Sequence, residues 1–418
     1  MVLVVSALLA TALGGCGGAA ALPTLTARVE RAQPARDAPV PEVVRGVTDV
    51  GYRLVGSAFP ADGNAVVSPL SIAVAFAMAR AGAGGVTAAQ MDHVFGFPAD
   101  GLHDAFNALT RGVVTADVPP AKPRDRGRDT RPEPPVVCLG NAMFPQAGSR
   151  VGQPFLDTLA RQYGAGLHPV DFTRGGDAVD PINQWVRQQT AGRITKAFDR
   201  LDPGTSFVLA NTVYLRADWD RNLFTEDPVE DAPFTRVDGT RESVPMMHAA
   251  DTLRYAAADG WQAVEVPYAG GQFAMRVLLP APGQAPAAML APARMGAVEA
   301  GLQPRDLGLS LPRWDFAADL DLTTALPALG LTAPFQPGAD FSGIAPGLYI
   351  GQAVHRANIT VDEWGTEAAA VTALAFSLAG REPSPLQVHV DRPFAFAIVH
   401  TATGAPLFMG QVTDPLTH

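Results

Sequence analysis

The chain is short of the residues that most kinds of chemistry and several kinds of partner require. Basic residues are the minority: 31 Lys and Arg face 41 Asp and Glu, a net charge of -10. Nucleic acid as partner is excluded on that ground, because its binding rests on phosphate neutralisation by Lys and Arg. Eight histidines are scattered without a His-Glu-x-x-His or other metal-ligand spacing, so no metal is implied. His355, His389 and His400 lie in strand-like segments and read as polar residues of core or surface. No Gly-x-Ser-x-Gly elbow and no phosphate-binding Walker loop occurs. The run "GAGGVT" follows a helix and has Thr where a dinucleotide loop needs its third glycine, so it reads as a helix stop. The pair Asp362-Glu363 has no partner framework for acid–base work. Nothing supports an enzyme or a cofactor.

Cysteine is nearly absent, with only Cys16 and Cys138. Cys16 closes the apolar run "MVLVVSALLATALGGC", which is too short to span a bilayer and reads as an export signal over residues 1–15. Leu13-Gly14-Gly15-Cys16 resembles the lipobox of bacterial lipoproteins, in which the signal is cut before a cysteine that is then acylated. That resemblance implies a lipid anchor on Cys16 and a cell-surface protein; plain secretion is the other reading. With Cys16 acylated, Cys138 has no partner for a disulfide and reads as an inert buried thiol.

What is present points to a large α+β domain. Apolar residues make up 47% of the chain, enough for a sizeable core. Residues 16–42 are rich in Ala, Pro and charge without periodicity, and read as a flexible tether. The domain is expected over 43–418, interrupted by an exposed Pro- and charge-rich insertion at about 117–135. In "NAVVSPLSIAVAFAMARAGAGG", Ser68 is a helix N-cap, Pro69 the first helical residue, and the helix is apolar nearly all round, so it should be buried. Asp180-Pro181 predicts another helix start by the same logic. "SFVLANTVYLRADW" and "QFAMRVLLP" are buried strands, and "RPFAFAIVHTATGAPLFMGQV" is a pair of strands about a Thr-Gly turn. Helices come early and strands late, without βαβ alternation.

Near the end lies "DEWGTEAAAVTALAFSLAGREPSP", residues 362–385, too rich in alanine for a good strand and too rich in Thr and Val for a good helix. Taken as a strand, one face is Thr366, Ala368, Ala370 and Thr372, all small and uncharged. Such a face can slide between existing strands onto a core that would reject bulk.

"DEWGTEAAAVTA" closely resembles the hinge of the serpin reactive-centre loop. "LANTVYLRADWDRNLF", "INQWVRQQTAGRI", "SVPMMH", "LSLPRWDF", "AVHRANITVDEWGTEAA" and "DRPFAFAIVHTATGAPLFMGQVTDP" resemble further serpin blocks in the family's order. The resemblance implies the serpin fold: three β-sheets, among them a large central mixed sheet, about eight or nine helices, and an exposed reactive loop at 363–385. It implies a monomeric inhibitor of serine endopeptidases. A protease cuts the loop, stays attached as an acyl-enzyme, and is crippled as the loop enters the central sheet as a new strand. A non-inhibitory serpin used for binding or folding is the alternative.

Roles follow from the same resemblance. The hinge is Glu363, Gly365, Thr366, Glu367, Ala368, Ala369 and Ala370, with Gly365 the pivot and Glu363 paired to Arg313. The breach and shutter, where the sheet opens, are Trp219, Asn211, His355, Ser68, Ser71 and Arg313. Counting fourteen residues past Gly365 places the reactive bond between Ala379 and Gly380, which suits an elastase- or subtilisin-like protease. Arg381 is the alternative for a trypsin-like enzyme and Leu378 for a chymotrypsin-like one. Trp364 departs from the family's small or polar residue beside the pivot. No basic cluster sits on the helix around "VTAAQMDHVF", which speaks against heparin-type activation.

Overall fold

The structure is a computed structural model that describes residues 22–120, 131–201, 204–225, 228–366 and 386–417. Four helices open the domain: α1 (Val40–Ala58), α2 (Pro69–Arg80), α3 (Gly85–Phe95) and α4 (Leu102–Val113), with the short strand β1 (Ala65–Val67) between the first two. Ser68 caps α2 by accepting from the Ser71 amide, and every residue from Pro69 to Ala79 is buried, as its all-round apolar sequence requires. Strand β2 (Val136–Pro145) follows, then α5 (Gln153–Thr158), α6 (Val179–Gln189) and β3 (Phe207–Asp218). Helix α6 begins one residue before Asp180, capped by the end of a 3-10 turn at Ala178 rather than by the aspartate.

The middle of the chain supplies β4 (Glu230–Thr235), β5 (Arg241–Ala258), β6 (Trp261–Pro267), β7 (Phe273–Leu279), α7 (Pro292–Gly301), β8 (Gln303–Pro312), β9 (Trp314–Asp321) and α8 (Leu322–Ala328). The last strands are β10 (Gln352–Asp362), β11 (Gly365–Thr366), β12 (Leu386–His389), β13 (Phe394–His400) and β14 (Pro406–Val412). Eight α-helices are thus present among the described residues.

Hydrogen bonding groups the strands into two sheets among the described residues, where three were expected. The central mixed sheet has the order β2-β3-β11-β10-β9. The other has nine strands, because β5 runs unbroken for 18 residues and pairs with β4, β6 and β8, fusing what the resemblance counts as separate layers. The main core lies between the two sheets, with α2 driven through it. On its other face the central sheet carries α6, whose Ile182, Trp185 and Val186 cover Ala142, Phe144, Val208 and Ala210. Burial on both faces is why β3 reads as one continuous apolar run.

Of the tether expected over 16–42, residues 16–21 lie outside the described residues and the rest is not free. From Leu22 onward the chain lies against the body. Leu25 and Leu167 exchange two backbone hydrogen bonds of 2.8 and 2.9 Å. Arg31 donates from Nε to Asn107 Oδ1 at 2.9 Å and from Nη2 to Thr110 Oγ1 at 2.6 Å, and Asn107 Nδ2 donates to the Ala32 carbonyl. This order comes from isolated backbone pairs and side chains of α4, which leave no periodicity in an Ala- and Pro-rich segment. The insertion overlaps residues 121–130, which lie outside the described residues.

Candidate functional site

Strands β3 and β10 run parallel and pair from Val208–Gln352 to Thr212–Arg356. Beyond that they separate. At the far end β11 enters between them, antiparallel to both, with Gly365 opposite Asp218 and Asp362 and Thr366 opposite Ala217 and Val361. Residues 213–216 of β3 pair on their other edge with β2, and residues 357–360 of β10 with β9; the chain that follows Thr366 lies outside the described residues. A small cavity beside Thr366 is lined by Val213, Leu215, Asn358 and Thr360 and by Thr190 and Ile194 from the chain after α6. Its free volume of about 10 Å³ is about that of one water.

The residues around β11 explain why it sits there. Gly365 has φ +152°, and a Cβ added to it would lie 2.0 Å from the Ala217 carbonyl oxygen, so only glycine can make this turn into the sheet. Asp362 Oδ1 accepts from the amides of Trp364 and Gly365 at 2.9 and 3.2 Å, which folds the chain back after β10. Burial pushes the Asp362 carboxyl up to about 6, with the Glu363 charge adding to the shift and the two amides opposing it. Arg313, just before β9, brings Nη2 to 2.5 Å from Glu363 Oε2.

Trp219 is fully buried beneath this turn. Its indole donates to the Asp362 carbonyl at 2.8 Å, its amide to the Trp364 carbonyl at 2.9 Å, and its ring stacks on Tyr268 with centroids 4.6 Å apart. Tyr268, from the turn between β6 and β7, places its hydroxyl 2.6 Å from Thr366 Oγ1. Burial holds the phenol well above its ordinary range, so it is the neutral O–H that meets Thr366. Trp364 is itself buried beside the pivot.

A second polar cluster lies halfway down the same strands. The Ser68 amide donates to His355 Nε2 at 3.0 Å, so the ring proton is on Nδ1, which donates to Asn211 Oδ1. Asn211 Nδ2 in turn donates to Ser71 Oγ, at 2.7 Å, and to Asn141 Oδ1; Ser71 Oγ donates to the Thr212 carbonyl at 3.0 Å. The chain of bonds ties α2 to β2, β3 and β10. Burial lowers His355 to about 3, so the ring stays neutral.

The site residues named from the sequence thus fall into two groups. Glu363, Gly365, Thr366, Trp219 and Arg313 meet at the hinge end; Ser68, Ser71, Asn211 and His355 form the middle cluster. His389 instead lies 3.3 Å from Ser310 Oγ, and His400 Nδ1 lies 2.9 Å from Thr403 Oγ1. Cys138 is buried in β2. Glu367, Ala368, Ala369, Ala370, Leu378, Ala379, Gly380, Arg381 and Cys16 lie outside the described residues. Sequence reasoning missed Tyr268, Asn141 and the structural work of Asp362. Tyr268 and Asn141 stand in no motif, but the Asp-x-x-Gly spacing of residues 362–365 is a turn signal that was there to be read.

The sequence profile of the family Serpin (serine protease inhibitor) matches residues 46–415. The chain belongs to the serpin family. Among relatives, Iripin-8 of Ixodes ricinus is 32% identical over 84% of this chain and 87% of its own. Leukocyte elastase inhibitor A of Rattus norvegicus is also 32% identical, over 84% of this chain and 93% of its own. Among solved structures, that of the thermophilic serpin Tengpin in its native state superposes with a TM-score of 0.80 at 24% identity, covering 94% of this chain and all of that one, which supports the fold. Most serpins are protease inhibitors rather than enzymes, and non-inhibitory members exist. Within this serpin, β11 is seated in the central sheet between β3 and β10.

Proposed function

We propose that the protein inhibits serine endopeptidases as a suicide substrate. One observation carries the reading: β11 enters the central sheet between β3 and β10 as the start of a strand antiparallel to both, with Gly365 opposite Asp218 and Thr366 opposite Ala217. Continuing the register of Thr366 opposite Ala217, an extended chain would set Glu367, Ala368, Ala369 and Ala370 opposite residues 216, 215, 214 and 213. Ala368 and Ala370 would share the inward face that Thr366 presents to Tyr268.

The protease serine attacks the carbonyl before the reactive bond, the amide nitrogen leaves with a proton, and an ester links the enzyme to the loop. The cut end of the loop is then free to enter the sheet and draw the enzyme with it. Ala379–Gly380 is the favoured bond, which fits elastase- or subtilisin-like targets; a relative named for leukocyte elastase accords with that. Arg381, for trypsin-like targets, and Leu378 are the alternatives. Export with acylation of Cys16 completes the reading and puts the inhibitor at a cell surface.

Mixing the protein with elastase, subtilisin and trypsin and then denaturing the mixture should leave a covalent complex heavier than either partner. Its released fragment fixes the bond: cleavage after Ala379 frees residues 380–418, 39 in number (418 − 379), and after Arg381 frees 37 (418 − 381). Clean cleavage by all three enzymes with no complex would favour the non-inhibitory alternative.

A further inference from the structure

The place where the docked N-terminal segment leaves the body bears on how the protein sits on a membrane. Leu22 packs against the cluster that contains Val170, Phe172 and Leu201. Val170 donates to the Pro145 carbonyl and accepts from Ala147, and Gln146 donates to Ser206. Pro145 pairs with Phe207 at the start of β3, whereas the hinge pairs with Ala217 and Asp218 at its end. The chain therefore departs at the end of the central sheet opposite the hinge. Eleven residue steps separate Phe207 from Asp218, about 36 Å at about 3.3 Å per step.

We propose that residues 22–38 orient the protein on a lipid bilayer, with the hinge end of the central sheet turned away from it. The inference rests on the reading that Cys16 carries the lipid. Cys16 and Leu22 are six steps apart, a reach of at most about 22 Å even fully extended. A body standing with its hinge against the bilayer would raise Leu22 about 36 Å above it, which that tether cannot span. The reactive loop is thus held out towards soluble proteases.

The docked segment, not the lipid alone, imposes this. Were residues 22–38 released, the tether would run 24 steps from Cys16 to Val40, about 80 Å at full extension, and every orientation would be within reach. What prevents release is the Leu25–Leu167 backbone pair and the grip of Arg31 on Asn107 and Thr110.

The test uses the full acylated chain in phosphatidylethanolamine–phosphatidylglycerol vesicles that carry an energy acceptor on their headgroups. A donor is attached at Arg150→Cys, beside the lower end, or at Arg221→Cys, just past the end of β3; buried Cys138 is spared. Transfer from position 150 should exceed that from 221 by at least about twofold, given heights that differ by about 36 Å. In the variant Leu22→Asp/Leu25→Asp/Arg31→Ala the two should converge. Equal transfer from both positions in the otherwise unaltered chain, or greater transfer from 221, overturns the proposal. Vesicle flotation separates the two ideas. If Cys16→Ser floats as well as the parent, the acylation reading fails and takes the proposal with it. If only the parent floats and the transfers are equal, the orientation alone is wrong.

Discussion

The hydroxyl pair between Tyr268 and Thr366 should set how firmly the hinge is seated. Both groups are buried, 2.6 Å apart, with no water-facing alternative. Tyr268→Phe leaves Thr366 Oγ1 inside the protein without that partner, and Thr366→Val does the same to the phenol. Each loses a hydrogen bond and strands a buried polar group, a cost of about 1–3 kcal/mol. That cost falls on the seated hinge and is absent once β11 has left the sheet, where water serves either hydroxyl. Tyr268→Phe should therefore speed native-state hydrogen exchange at the β11 amides by roughly 5- to 150-fold, the factor that about 1–3 kcal/mol represents. The double variant removes both polar groups at once and strands neither, so its loss should fall short of the sum of the singles by about 1 kcal/mol or more. An additive cycle, or exchange at β11 indifferent to Tyr268→Phe, would show that the pair does not hold the hinge.

Gly365→Ala should expel β11 outright, because its Cβ meets a backbone oxygen at 2.0 Å that no side-chain movement can clear. The fluorescence of Trp219 and Trp364 should shift as both are uncovered, and an unchanged spectrum would refute the close approach. His355, held neutral with its value near 3 against an ordinary 6.5, binds its proton more readily when unfolded; it contributes fully above about pH 6.5 and costs up to about 1.4 kcal/mol per pH unit as pH falls towards 3. Asp362, raised to about 6 from 3.8, acts oppositely: it favours the folded chain in acid, and that help fades as pH rises through 6. Between about pH 4 and 6 the two offset each other, so urea midpoints should fall more steeply with acid in Asp362→Asn than in the parent, and less steeply in His355→Gln. Identical pH profiles for the three proteins would contradict the burial of both groups.

Much of the architecture was legible because it rests on local chemistry. Ser68 and Pro69 announce α2, and the unbroken apolar run of β3 announces burial on both faces. The glycine of the turn was legible too: Gly365 stands where its φ and its contact with Ala217 allow no side chain, while the small residues that follow it lie outside the described residues. What stayed hidden depends on partners distant in sequence. Asn141, Asn211, Ser71 and His355 are ordinary polar residues until the fold gathers them, and Tyr268 lies 98 positions from the threonine it bonds. The N-terminal segment is the plainest case. Its composition is that of a linker, and composition reports only that a segment cannot build a core of its own. It says nothing of whether a surface elsewhere has been shaped to take it. Here α4 supplies that surface through Asn107 and Thr110, buried polar residues whose hydrogen bonds the docked segment completes. A buried side-chain amide on an otherwise amphipathic helix is thus the better sign of a docked strap than any feature of the strap itself.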